Sequence, residues 1–226
     1  MEKRYIKNMN MLSEDEIKSL HKAKICVIGC GGLGGFVIEG LIRLGFENLT
    51  VVDNDVFDKS NLNRQLFATE STLQNSKART AGERVVDINS RSKVNPITLR
   101  FDRKYGKKII QNHDIVIDAV DNVETKLLLE EFCNELNIPL IHGAIGGWFG
   151  QVAIIHPGDG ILSKIYSSNT DGIEKELGNP SFTPAVTANI MVAEALKLYL
   201  NKKEKLHKQL LVIDLLNHSY DVIDIK

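Results

Sequence analysis

Gly29-Cys30-Gly31-Gly32-Leu33-Gly34 matches the pattern G-x-G-x-x-G directly after an apolar run and before an amphipathic one. In that setting glycines let the backbone turn tightly and approach a phosphate, while a helix N-terminus offers unpaired N–H groups and a partial positive charge. Asp53 lies 19 residues beyond Gly34 at the end of the next apolar run, where a carboxylate accepts hydrogen bonds from ribose hydroxyls. A nucleotide site follows, and the fingerprint alone suits NAD, FAD or an adenylate. The segment that follows, Asp53-Asn54-Asp55-Val56-Phe57-Asp58-Lys59-Ser60-Asn61-Leu62-Asn63-Arg64-Gln65, narrows the choice. Hydride transfer has no use for an arginine and an amide just past the ribose acid. Cleavage of a triphosphate does, because charge builds up on departing pyrophosphate. Lys77 adds a second cation, and Asp121 stands where one carboxylate can hold Mg2+ while phosphates complete its shell. Asn61 has a competing use in capping its own loop, and Asp55 suits a loop contact as well as a nucleotide.

The elements that must position these residues alternate. Ser13 and Glu16 form a capping box for a short first helix. A strand over 24–28, a helix over 36–44 closed by Gly45, and a strand over 49–53 make a βαβ unit, whose crossover renders the two strands parallel. A helix follows over about 71–89 and a strand over 94–99. The β-branched run 114–119 reads as a buried parallel strand. A helix over 124–136 leads to strands at 139–142 and 152–155. Residues 157–183 read as an irregular crossover rich in Gly, Ser and Asn. Thr183 and Pro184 have the types expected at N-cap and N1 of a helix ending near Leu200. A hairpin over 210–214 and 219–224 closes the chain, turning at Asn217-His218. The expected fold class is α/β. It is a Rossmann-type, mostly parallel sheet with helices on both faces, extended by antiparallel strands in the C-terminal part. The expected organisation is one domain over residues 1–226, with the nucleotide-binding part at about 24–156 and the remainder at 157–226.

Taken together, Gly29-x-Gly31-Gly32-Leu33-Gly34, Asp53-x-Asp55-Val56, Ser60-Asn61-Leu62-Asn63-Arg64-Gln65, Ser76-Lys77 and Asp121-Asn122-x-x-Thr125 resemble the ThiF/MoeB/HesA family, which includes the adenylation domain of ubiquitin-activating enzymes. The likeness covers about residues 24–156, and the stretch 184–200 more weakly. It implies ATP-dependent adenylylation of the C-terminal glycine carboxylate of a small ubiquitin-like sulfur-carrier protein ending in Gly-Gly, with release of pyrophosphate. The pathways implied are thiamin or molybdopterin synthesis or a similar one. A homodimer and a sulfur donor such as a cysteine desulfurase are implied as partners. Position by position, the resemblance places Asp53 at the ribose and Asn61, Arg64 and Lys77 at the phosphates. It makes Asp121 the Mg2+ ligand and most sensitive catalytic position. The glycines 29, 31, 32 and 34, with Asp55 and Gln65, complete the ATP-binding set. No strong base is needed, because the substrate carboxylate is already ionised at neutral pH.

The sequence departs from that family in three places. Its only cysteines are Cys26, Cys30 and Cys133, so the two Cys-x-x-Cys pairs of a structural zinc site are missing and no zinc is expected. Residues 157–183 hold no cysteine to carry an acyl group, and Cys133 in a helix reads as inert packing. Adenylylation without a thioester on this chain is therefore expected, with the thiol of Cys30 accessible in the nucleotide loop. Where relatives reach across a dimer with an N-terminal arginine, Lys7 stands at that position and Arg4 nearby. Lysine keeps the charge but loses the planar fork. Asp118 reads as a strand-end acid bonded to backbone rather than a second metal-shell acid. His142 reads as a satisfied structural histidine. With Gly143, Ala144 and Gly146-Gly147 it is alternatively a lining for the substrate's glycine tail.

With 226 residues, 43% hydrophobic and 25% charged, the chain can bury a substantial core. Its net charge of −1 gives no general attraction to nucleic acid or membrane. No apolar run nears the roughly 18 residues of a membrane span. With no signal peptide and three cysteines, a cytoplasmic setting is expected. Competing readings keep the ATP chemistry but change the acceptor to a peptide or a modified tRNA base. An NAD-dependent dehydrogenase would leave Asn61, Arg64, Lys77 and Asp121 unexplained. A non-catalytic nucleotide-binding scaffold is the remaining class.

Overall fold

A computed structural model of the chain describes residues 2–166, 177–203 and 206–225. One eight-stranded sheet runs in the order β3-β2-β1-β4-β5-β6-β7-β8. Strands β1 (Lys24–Ile28), β2 (Asn48–Val52), β3 (Lys93–Ile97), β4 (Ile115–Asp118) and β5 (Leu140–Gly146) are parallel, as their intervening crossovers require. Strands β6 (Phe149–Ile155), β7 (Gln209–Asp214) and β8 (Ser219–Asp224) are antiparallel, because tight turns join β5 to β6 and β7 to β8. The turn between β7 and β8 places His218 at a positive φ of 57°.

Helices cover both faces. On one, α2 (Gly32–Leu44), α3 (Lys77–Ile88) and α7 (Phe182–Tyr199) pack Val37, Ile38, Ala78, Ala81 and Met191 against the sheet. On the other, α4 (Gly106–Ile110), α5 (Val123–Leu136) and α6 (Leu162–Ile165) contribute Ile110, Leu129, Phe132 and Leu162. The first helix, α1 (Glu14–Leu20), carries the reciprocal Ser13–Glu16 cap. No helix among the described residues is long and apolar enough to cross a membrane.

Several boundaries differ from the sequence expectations, each for a local reason. Helix α2 starts at Gly32, inside the glycine motif, so the last glycines form its first turn. Before α3, Glu70–Thr72 is a separate 3₁₀ turn, and the helix begins only at Lys77, capped by Ser76, whose hydroxyl accepts from the Arg79 N–H. Strand β5 runs on to Gly146 because β6 pairs along it. Helix α7 begins with Ser181 at its N-cap. Thr183 therefore lies inside the first turn, and its hydroxyl donates to Gly147 O at 2.6 Å. Pro184 still fits there, since first-turn N–H groups go unpaired within a helix. Part of the expected 157–183 crossover lies outside the described residues.

Candidate functional site

The strand order reverses direction at β1: β2 and β3 lie to one side and β4 to the other. In open α/β sheets, ligands bind outside the carboxyl ends of the strands at such a switch point. The glycine loop sits there. Gly29 has φ of +99°, and a Cβ on it would stand 2.5 Å from Ala119 O, at the end of β4. A Cβ on Gly34 would stand 1.9 Å from Gly29 O, so Gly34 lets α2 pack directly on the loop. With Gly31 as a side-chain-free N-cap, the first N–H groups of α2 open onto the cleft.

Asp53, just past β2, binds the loop from the neighbouring strand. Its Oδ2 accepts from Cys30 N at 2.8 Å and its Oδ1 from Asp55 N at 2.9 Å. Burial pushes this carboxyl up, against those two N–H groups and the nearby Lys77. Lys77 is nearly buried; its Nζ lies 3.1 Å from Asp55 Oδ2, and its N–H donates to Asp55 O. One of the three ammonium protons is thereby engaged, leaving two for a ligand. Arg64 lies over Gly32 and donates to Ser60 O and Asn63 Oδ1. These side chains, with Gly29, Gly31, Gly32, Gln65 and Asp121, line a single cleft of about 920 Å³.

Asp121 follows β4 and is exposed to this cleft. The cap of α5 is Asn122, whose Oδ1 accepts from Thr125 N at 2.9 Å. Asp121 keeps its carboxylate for other partners. Among the described residues, no group of three or more His, Cys, Asp or Glu is placed to hold a metal by itself. One exposed carboxylate at a phosphate site fits a Mg2+ ion whose remaining ligands are phosphate oxygens and water.

Two expected contributors do not reach the wall. Asn61 is buried and turned inward, its Oδ1 accepting from Asp58 N in a local capping box, so the competing loop use is the one observed. Gly34 serves packing. Cys30, expected to be accessible, is buried, and desolvation together with Asp53 raises its thiol well above the usual range. Cys26 is also buried, and burial pushes Cys133 up to about 12. Arg4 and Lys7 occupy a 3₁₀ helix, Lys3–Asn8, packed at the opposite end of the sheet. There Tyr5 donates to Glu47 and Arg4 to Ile88 O. Neither side chain reaches this chain's own cleft.

The other wall of the cleft comes from β5, β6 and the segment before α7, including Ala144, Gly146, Gln151, Tyr166 and Asn179. Asn63 ties the arginine loop to that segment by donating to Asn179 O at 3.1 Å. Gln65 Oε1 and Asn179 Oδ1 are buried without a hydrogen-bond donor among the described residues, and both residues line the cleft. Buried acceptors of this kind need a donor from outside the described residues, such as water or a ligand. Asp118 is more than the strand-end acid expected. Its carboxylate accepts from Val120 N, but it also binds Lys126 Nζ and His142 Nδ1, all within the protein. Burial pushes Asp118 up, yet the Lys126 ammonium and the His142 hydrogen bond outweigh it and hold the carboxyl below its ordinary value. No sequence signal distinguishes Lys126 from an exposed helical lysine. Arg100 and Phe101, beyond β3, also line the cleft, from an irregular loop where no motif marks them.

The glycine loop, the paired Lys77 and Asp55, and Asp121 thus converge at one switch point, and a single family model matches residues 3–226. The chain belongs to the ThiF family. It is 32% identical to the SAMP-activating enzyme E1 of Haloferax volcanii over 90% of this chain and 77% of that protein. It is 30% identical to the molybdopterin-synthase adenylyltransferase of Haemophilus influenzae over 98% of this chain and 90% of that one. Several other relatives are longer, and the chain spans 24–55% of their length. Among solved structures, E. coli MccB crystallised with AMPCPP and MccA superposes with a TM-score of 0.83 at 20% identity, over 99% of this chain and 71% of that one. Membership of this family, beside relatives of this kind, makes the chain an enzyme of the adenylyltransferase class.

Proposed function

We propose that this enzyme adenylylates the C-terminal glycine carboxylate of a small ubiquitin-like sulfur-carrier protein with ATP, releasing pyrophosphate, without a thioester on its own chain. The observation that carries the reading is the convergence of Asp53, Arg64, Lys77 and Asp121 on one cleft whose opposite wall is uncharged on its surface and includes Ala144, Gly146 and Gly150 among larger residues. Asp53 accepts from the ribose while its bonds to Cys30 N and Asp55 N hold it in place. The N–H groups at the start of α2 and the cations Arg64 and Lys77 meet the phosphates. Asp121 holds Mg2+, which when bound offsets charge on the phosphates. The incoming carboxylate and the phosphates repel each other, so a cationic side and a neutral side are both required. The tail approaches along Ala144 and Gly146, where a larger side chain would keep it out. The buried Cys26, Cys30 and Cys133 are held as thiols and take no acyl group.

ATP–pyrophosphate exchange tests this, with and without carriers ending in Gly-Gly and with Asp121→Ala as control. Carrier-dependent exchange lost in the variant is the expected result. Exchange with a short peptide alone would move the acceptor to that class. Salt-sensitive tRNA binding would favour a tRNA acceptor, against which the net charge of −1 counts. Mg2+-ATP binding with no exchange would leave a nucleotide-binding scaffold.

A further inference from the structure

The carboxyl end of β4 buries three titratable side chains that the adenylylation chemistry does not use. Asp118 and His142 are fully buried and Lys126 nearly so. Lys126 Nζ reaches both Asp118 oxygens, at 3.3 and 3.1 Å, and Gly143 O at 3.1 Å. One ammonium thus balances one carboxylate, and the imidazole beside them has no charge left to neutralise. Burial is the main reason its pKa lies below the ordinary histidine range, and Lys126 adds to it against the pull of Asp118.

A neutral imidazole carries one N–H, and its position decides what each nitrogen can do. His142 Nδ1 lies 2.7 Å from Asp118 Oδ2, and a carboxylate only accepts, so the proton is on Nδ1. Nε2 is left as an acceptor. It faces Gln151 Nε2 at 3.1 Å and the Tyr166 hydroxyl at 3.2 Å. Gln151 must therefore turn its amide nitrogen inward, where it also donates to the Tyr166 oxygen. Its carbonyl Oε1 is then presented outward, on a residue that lines the cleft directly across from Ala144 in the β5–β6 ladder. Whichever donor Nε2 prefers, the orientation of the glutamine is the same.

We infer that Gln151 Oε1 accepts a backbone N–H from the extended tail of the acyl substrate, and that Asp118 and His142 are positioning residues that act through it by fixing its amide orientation. The inference rests on the adenylylation reading and assigns a residue to its acyl side. Gln151 lies on β6, separated by β5 from β4 and by two further strands from Asp53 beyond β2. A contact there belongs to the tail rather than to the ribose. The outward oxygen selects a donor, so it favours a peptide N–H over a second carboxylate or an ester.

The test uses a semisynthetic ubiquitin-like carrier ending in Gly-Gly, read by ATP–pyrophosphate exchange. Gln151→Leu should raise the KM for carrier about 10-fold, the net worth of one hydrogen bond, while the KM for ATP and kcat at saturating carrier stay within about 2-fold. His142→Asn keeps a donor toward Asp118 but removes the Nε2 acceptor; it should move the same KM, and the double variant should add little more. Replacing one tail amide at a time by an ester should cost the same factor at a single position in the wild type and nothing there in Gln151→Leu. An unchanged carrier KM in Gln151→Leu, or an ester penalty equal in both enzymes, overturns the inference. If His142→Asn does not fold, the ester scan on Gln151→Leu decides alone. If the wild type binds Mg2+-ATP but exchanges with no carrier, the adenylylation reading itself fails, and this inference with it.

Discussion

The two walls of the cleft handle charge in opposite ways. At the carboxyl ends of β1, β2 and β4 and in the loops that follow, charged groups are offered to the ligand. Lys77 keeps two ammonium protons free of Asp55, Arg64 lies over the glycine loop, and Asp121 is exposed after β4. Toward β5 and β6 the charges are withdrawn. Asp118 and Lys126 neutralise each other out of solvent, Lys126 at the cleft's edge, and the rest of that wall is uncharged: Ala144, Ile145, Gly146, Phe149, Gln151 and Tyr166. Phosphates need a cationic side that is not already paired, whereas an approaching carboxylate needs a shaped, uncharged path to the same point. Asp118 and Asp121 lie three residues apart in the chain. The first is spent on structure and the second left open, because β4 ends between them.

The contrast can be broken at either wall. The largest effect is expected from Asp121→Ala, which removes the open carboxylate. Carrier-dependent pyrophosphate exchange should fall about 10²- to 10³-fold, the size seen when a group stabilising transition-state charge is removed. Thermal unfolding should be almost unchanged, since Asn122, not Asp121, caps α5. Next, Gly146→Trp fills the neutral wall. Carrier-dependent exchange should be lost while ATP binding, followed by calorimetry, survives. Loss of both would merge the two walls into one.

Lys126→Met sharpens the comparison through stability. It leaves Asp118 buried without its ammonium, at a cost of about 3–5 kcal/mol at neutral pH. The sign with pH follows from the depressed carboxyl of the native protein. In the wild type the stabilisation is fully present above the ordinary carboxylate range and is lost as pH falls through the lowered folded value. Without Lys126 the folded pKa rises above the unfolded one, so the variant recovers relative stability as pH falls and Asp118 takes up a proton. Urea denaturation at pH 7 and pH 5 should show the gap between wild type and variant narrowing at the lower pH. An equal gap at both would mean that the pair contributes packing only. The smallest effect concerns the thiols. With Cys133 pushed up to about 12 and Cys26 and Cys30 also raised, iodoacetamide at pH 8 should label none of the three in the folded enzyme and all three in urea. Rapid native labelling of Cys30 would show that the glycine loop opens.

Much of the charged wall was legible along the chain, because its parts are local. A glycine motif between a strand and a helix, an acid at the end of the next strand, and Arg64 and Lys77 at short intervals place themselves once the strands are recognised. Asn61 and Cys30 were harder. Both lie inside the motif region, yet one side chain folds back onto Asp58 N and the other packs under the loop. A motif gives a residue's address but not the rotamer that decides whether it faces the ligand. The start of α3 at Lys77 and of α7 beside Ser181 moved for a similar reason. Ser76 supplied a cap, and Thr183 was drawn instead to Gly147 O.

The sequence by itself determined the parallel sheet and its antiparallel extension, the glycine loop and the inventory of side chains able to manage a triphosphate. Hydrophobic periodicity, glycine placement and charge spacing act over a few residues and need no partner from afar. Only the tertiary structure decided which charges are offered and which are cancelled. The meeting of Asp118 with Lys126 and His142, 8 and 24 residues away, depends on how α5 packs and on β5 lying beside β4. The proton position on His142, and through it the face that Gln151 shows to the cleft, follows from that burial. Away from water a histidine must find its donor and acceptor within the protein, and the fold had only those partners to give.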